Sequence, residues 1–179
     1  MFHLFALKIQ NLKFICYPDS GIYVYTADNL HLVICATPLG QNNSGGHTHN
    51  DKLSYELWMD GKDIVRDPGS YLYTSLPNRR NEFRSIKAHN VPIVRGVEQN
   101  SWGEGSIGLF GMFRNSECFV SDFNDDFIEL VLRYKGIIVM RRFEIKENGV
   151  TIKDNSNKEF GYYIFKYYSN GYGKIMRSQ

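Results

Sequence analysis

Little in this 179-residue chain can staple it together or hold it in a bilayer. Its three cysteines, Cys16, Cys35 and Cys118, lie far apart with no CxxC pair. That argues against a disulfide framework and against cysteine metal ligands, and leaves buried or idle thiols. No apolar run approaches the roughly 20 residues of a membrane span. The opening MFHLFALKIQNLKF is broken by Lys8 and Lys13. It lacks a basic n-region, a long apolar h-region and a small-residue cleavage site, so it is not read as a signal peptide. Charge of one sign is scarce too: the formal net charge of +2 gives no field that would by itself attract nucleic acid. No internal repeat and no low-complexity tract interrupts the chain.

Aromatic residues are abundant, with 12 Phe, 12 Tyr and 2 Trp. They suit pleated surfaces, and core packing is the default use for most of them. A chain of this size suits one domain and buries roughly 70% of the surface its unfolded form exposes, so a core forms without staples. The pattern predicts strands throughout. Ile22 and Val24 alternate with Tyr23 and Tyr25, and residues 30–37 return as a more buried strand. Leu53, Tyr55, Leu57 and Met59 alternate with polar partners up to Asp60-Gly61, a type I′ hairpin signal. Strands are also expected near 89–94, 107–114, 117–123, 127–134, 137–145, 150–154 and 160–168. The fold class is therefore all-β, an antiparallel β-sandwich of two packed, twisted sheets. Residues 1–16 form a lead-in that reads equally as helix, edge strand or remnant of a missing domain. The domain proper covers 17–170, and 171–179 form a frayed tail. Residues 71–87, with Arg79, Arg80 and Arg84, read as a long irregular loop of the kind that often carries function.

Three of the five histidines cluster between 45 and 90: His47, His49 and His89. In an extended segment i and i+2 share a face, so His47 and His49 can face one site. The hairpin at Asp60-Gly61 carries His49 out and Asp67 back, turning a separation of 18 positions into a short distance. Imidazole and carboxylate suit zinc, at roughly 2.0–2.2 Å, and other divalent cations remain possible. The bland alternatives are a strand-capping His89 and an Asx-turn Asp67 ahead of Pro68. Asp51 either orients a ligand imidazole or sits in a turn. Arg84 is the favoured arginine for a carboxylate, since a guanidinium pairs bidentately. Tyr71 and Tyr73 either line a cleft or pack. His3 and His31 read as structural. A cupin-like barrel would need Glu56 on the metal, and Glu56 comes too late after the His pair.

The segments YPDSGIYVY, GHTHNDKLSYELWMDGKDIVRDPGSYLYT and RRNEFRSIKAHNV resemble the C-terminal β-domain of heparinase II/III-like polysaccharide lyases. The resemblance is strong from Tyr17 to Val97 and weaker to Asp154. It implies a β-sandwich that normally follows a helical toroid, with the active site in the cleft between them. By motif position it implies His47 as the catalytic histidine, and His49, Asp67 and His89 as ligands of a metal, usually zinc. It also suggests Arg84 as a substrate contact, and Tyr71, if it lines the cleft, is the residue expected beside it. The implied reaction is β-elimination at a 4-linked uronic acid of an acidic polysaccharide, in a periplasmic or secreted setting. No long amphipathic helix matches the toroid, so the expectation is a fragment with little activity alone. The alternative is a non-catalytic carbohydrate-binding or structural β-module that keeps the metal for folding. Neither a nucleic-acid partner nor a membrane span is expected.

Overall fold

A computed structural model describes residues 1–40, 43–169 and 173–177. Fourteen strands are described: β1 Phe2–Phe5, β2 Lys13–Tyr17, β3 Ile22–Ala27, β4 Leu30–Cys35, β5 Tyr55–Met59, β6 Lys62–Val65, β7 Ile93–Val94, β8 Ser116–Phe123, β9 Phe127–Tyr134, β10 Ile137–Lys146, β11 Gly149–Ser156, β12 Phe160–Gly161, β13 Tyr167–Ser169 and β14 Ile175–Arg177. Two helices join them, α1 Pro77–Arg84 and α2 Gly105–Phe110. One five-stranded sheet has the order β1-β11-β10-β9-β8, the other β2-β3-β4-β5-β6, and both are antiparallel throughout.

The sheets face each other because their alternation demands it. Leu30, Leu32 and Ile34 of β4 point inward, with Leu57 and Met59 of β5 beside them. They meet Ile128, Leu130 and Leu132 of β9, Val139 and Phe143 of β10, and Val150 and Ile152 of β11 in one core. Each such side chain contributes roughly 1.5–3 kcal/mol on full burial. The Asp60-Gly61 turn has φ of +50° and +80°, the left-handed pair that a type I′ hairpin requires. Glu56 points to the outer face of β5, and two packed sheets replace the closed barrel of a cupin. All three cysteines are free, and burial pushes the Cys35 and Cys118 thiols up to about 12. Among the described residues no helix is long and apolar enough to cross a membrane.

Several stretches depart from the pattern reading. Residues 71–87 are not an irregular loop: α1 starts at Pro77, where a missing N–H costs nothing. The expected strand over 107–114 is replaced by α2; GSIGLF is too short for its period to separate strand from helix. Gly108 there closes on the Gly103 carbonyl with no room for a Cβ. The strand expected from His89 shrinks to β7, paired with β12. Instead a 3₁₀ turn, Ile86–Ala88, delivers His89, and the Asn90 side-chain amide both accepts from Tyr55 N and donates to Tyr55 O. Of the expected strand 160–168, only β12 and the start of β13 form. In the lead-in, β1 pairs with β11 and β2 with β3. In the stretch expected to fray, β14 pairs with β13, while 171, 172, 178 and 179 lie outside the described residues.

Candidate functional site

Three separated segments meet beside the β5–β6 hairpin: the loop through His49, the turn at Asp67, and the α1–3₁₀ segment ending at His89. His89 Nδ1–H donates to Asp67 Oδ2 at 2.7 Å, and Asp67 Oδ1 accepts from Gly69 N at 2.8 Å. The Asx turn and the imidazole contact therefore coexist on one carboxylate. The His49 and His89 rings lie 5.3 Å apart, centroid to centroid. Arg80, fully buried, donates from Nη1 to His49 Nε2 at 2.9 Å, and Ser70 Oγ lies 3.3 Å from the same nitrogen. Arginine only donates, so Nε2 carries the lone pair and His49 is neutral.

Electrostatics agrees with this arrangement. Burial, then the neighbouring His89 and Arg80, holds His49 down to about 3. Burial also works against a charged His89, but the Asp67 bond and charge outweigh it and raise its pKa. Burial likewise disfavours an ionised Asp67, and the His89 bond reverses that, lowering its pKa. Burial raises the pKa of Asp51, whose Oδ1 has no hydrogen-bond partner; it is Asp67 that orients an imidazole.

His47 stands apart from His49. Its φ of +61° is left-handed, so the pair is not extended and the two rings do not share a strand face. His47 is exposed, edge-on to Tyr73 at 5.3 Å and tilted against Phe110 at 5.5 Å. Both histidines still border one open pocket of about 310 Å³, with Thr37, Pro38, Thr48 and Asp51. Tyr71 turns away, packing on Phe83 with Arg79 over its ring, so Tyr73 is the tyrosine beside His47. Arg84 is tied up internally: Nε donates to Asn81 Oδ1, Nη1 to Leu109 O and Nη2 to Gly108 O, and the group stacks on Trp102. It clamps α1 to α2 rather than facing the pocket. His3 lies 2.6 Å from Thr151 Oγ1, and His31 is exposed on β4, both away from the cluster.

Asn50 and Glu98 were not singled out by the pattern, and Arg80 was named only beside Arg79 and Arg84 as a loop arginine that could meet a carboxylate. Asn50 Nδ2 donates to Glu98 Oε2 at 2.6 Å and to Asn100 O at 2.9 Å. Glu98 in turn accepts from Ser85 Oγ and Ile86 N, so it ties the His49 loop to the turn before His89. The available signal was Arg80 and Arg84 at i, i+4, which share a helix face once α1 is recognised.

The donor set suits a zinc ion in chemistry, and the buried His89 Nε2 has no hydrogen-bond partner. As arranged, Asp67 stands behind His89, the place of an outer carboxylate that orients a ligand imidazole. Among the described residues no three His, Cys, Asp or Glu side chains are set to hold a metal together. As placed, two imidazoles, one of them already holding the Arg80 guanidinium, fall short of a metal-binding set.

Two packed antiparallel sheets carrying a cluster of buried His49, His89 and Arg80 with the half-buried Asp67 define an all-β sandwich domain with a polar site in its connecting segments. The chain belongs to the heparinase II/III-like C-terminal family, whose model matches residues 10–159. Among solved structures it is similar to a heparinase III, at 19% identity and a TM-score of 0.60, covering 83% of this chain and 22% of that one. It is similar also to a mutant of heparan sulfate lyase HepC from Pedobacter heparinus, at 16% identity and a TM-score of 0.59, covering 83% and 23%. The chain thus spans under a quarter of the length of those proteins. No curated protein matches it.

Proposed function

We propose that this chain is the C-terminal β-domain of a polysaccharide lyase that opens uronic-acid glycans by β-elimination. The observation that carries the reading is the exposed His47, standing over a pocket shared with His49 and edge-on to Tyr73. In such a reaction the proton α to the uronate carboxylate leaves, the electrons form a C=C bond, and the 4-linked oxygen departs with a proton. His47, held by Tyr73 and Phe110, takes the proton or neutralises the carboxylate from one side of the sugar. His49, His89 and Asp67 keep the segments carrying His47 and Tyr73 in register; zinc bound at the two imidazoles, with Asp67 behind His89, would add positive charge nearby. Tyr73 replaces Tyr71 as the tyrosine placed to meet the substrate. A helical toroid domain supplies the remaining substrate contacts, with an acidic glycosaminoglycan or alginate-like polymer as substrate.

The test joins this chain to a heparinase-type helical domain and follows the ultraviolet absorbance of unsaturated uronate. His47→Ala is expected to lower kcat roughly 10²–10⁴-fold with the glycan still bound. A full rate in that variant assigns the chain to the non-catalytic carbohydrate-binding class instead.

A further inference from the structure

A second cavity, of about 390 Å³, opens at the β6 edge of its sheet and shares no lining residue with the His47 pocket. That volume lies within the roughly 300–1,000 Å³ of small-ligand sites. Pro68 and Ala88 put it behind the turn and the 3₁₀ segment that carry Asp67 and His89. Its other walls include Phe165, Tyr167 and Tyr168, in and just before β13, with Asp63, Arg66 and Arg177. β13 is anchored there: Ser169 N donates to Pro68 O at 2.8 Å, and a Cβ on Gly69 would sit 3.1 Å from Ser169 O. The Arg66 guanidinium lies 4.9 Å from the centroid of the Tyr168 ring, and the Phe165 and Tyr167 rings meet edge-on at 6.0 Å. Two guanidinium groups thus border the cavity against one carboxylate, and among the described residues no carboxylate pairs with the exposed Arg177.

We propose that this cavity is a second saccharide site, which holds an anionic sugar unit of the polymer away from the His47 pocket. It rests on the lyase reading above only for the class of ligand. A sugar ring has an apolar C–H face and a polar rim, so a site for it needs an aromatic wall and hydrogen-bond donors. Tyr167, 40% exposed, and Tyr168 give the wall and two hydroxyls. Arg66 and Arg177 give the charge, since a guanidinium grips a carboxylate or sulfate with two parallel N–H bonds. Arg66 is engaged with Asp63, but the two side chains are 48% and 53% exposed, and such a pair contributes little. Exchanging Asp63 for a ligand anion therefore costs little, while the Tyr168 ring keeps the guanidinium oriented. A neutral sugar leaves that gain unused, so the site selects acidic units. Two sites on one domain hold one polymer at two points, and the second contact forms at the high effective concentration of a tethered ligand. A glycan cut at one site stays on the domain through the other.

Binding to the full 179-residue chain is followed by calorimetry and by backbone amide NMR shifts. The probes are a heparin-derived oligosaccharide, an alginate oligosaccharide and a neutral maltooligosaccharide of equal length. An acidic probe is expected to bind at least roughly tenfold more tightly than the neutral one and to shift the amides of Ile64, Ser169 and Arg177. Binding of either acidic probe supports the site and names its anion, sulfate or carboxylate. Arg66→Gln and Arg177→Gln, both at exposed positions, are each expected to weaken that binding roughly three- to tenfold. Unchanged affinity in either variant, or shifts confined to Thr48 and His49 beside the His47 pocket, overturns the proposal. Equal binding of the neutral probe, or no binding of any probe, overturns it as well. The lyase reading is decided separately, by the ultraviolet absorbance of the fused protein. Binding that depends on both arginines, in a chain whose fusion shows no lyase activity, keeps this site and removes only that reading.

Discussion

Replacing Arg141 with Met tests whether the sandwich and the site are mechanically one object. Arg141 is 1% exposed on β10, in the middle of the sheet opposite the β5–β6 hairpin. Its Nε and Nη2 pair with Asp154 Oδ1 and Oδ2 at 2.6 and 2.9 Å, and Tyr162 donates to the same carboxylate at 2.6 Å. Nη1 donates to Leu53 O at 2.8 Å and Asn90 O at 2.7 Å. Those carbonyls belong to the segments that carry His49 and His89. Methionine keeps much of the volume but leaves a fully buried carboxylate and two carbonyls without this donor. Removing one member of a buried pair costs about 3–5 kcal/mol, against a total stability of about 5–15 kcal/mol for a typical domain. Urea unfolding should show a much lower midpoint with an unchanged m-value. Adding Asp154→Leu should recover part of the loss, because the orphaned charge is then gone; the two carbonyls prevent full recovery. A single-variant cost below about 1 kcal/mol, or a double variant worse than the sum of the two singles, would refute the argument.

Further outcomes follow from the site and its turns. In chelator-treated protein, the unfolded chain protonates His49 below about 6.5 while the folded chain resists until about 3, so stability falls as pH drops. Between pH 7 and 5 wild type should lose about 2 kcal/mol more than His49→Gln, and parallel curves would refute this. His89 runs the other way: with its raised pKa its contribution is present below about 6.5 and fades as pH rises past the folded value. Asp67, lowered, contributes above about 3.8 and loses its contribution as pH falls through its folded value. Gly45→Ala should cost well over the roughly 1–2 kcal/mol of a left-handed alanine, because φ is +74° and a Cβ would meet Met112 N at 2.4 Å. Gly61→Ala, with φ of +80° and nothing within 4 Å, should cost only the conformational part; thermal melts of the pair separate strain from collision.

The sandwich was legible where apolar residues alternate along whole strands. Phe127–Tyr134 matches the pattern end to end, and the turn at Asp60-Gly61 states its own geometry. The gathering of His49, Asp67 and His89 was legible for the same reason: a hairpin fixes which loop ends are neighbours. His47 was harder. Its left-handed φ of +61° is a conformation that its own Cβ disfavours, and nothing in the side-chain order announces it. Tyr71 and Tyr73 were indistinguishable on paper because only the φ of +56° at Tyr71 sends one ring to Phe83 and leaves the other for His47.

Helix α1 explains why the arginines read as loop residues. PNRRNEFR carries one large apolar residue, Phe83, so no apolar stripe marks a buried face. Its buried face is made by Arg80, Phe83 and Arg84. Hydropathy treats both arginines as solvent-facing, yet one turn of helix gives them opposite fates. Arg84 meets the free carbonyls of Gly108 and Leu109 at the end of α2, acceptors that a cation satisfies fully. Arg80 meets a single imidazole lone pair and keeps two donors unused. Arg84 is thereby the brace between the two helices, and the residue to change when probing how α1 is held is Arg84 rather than Arg80.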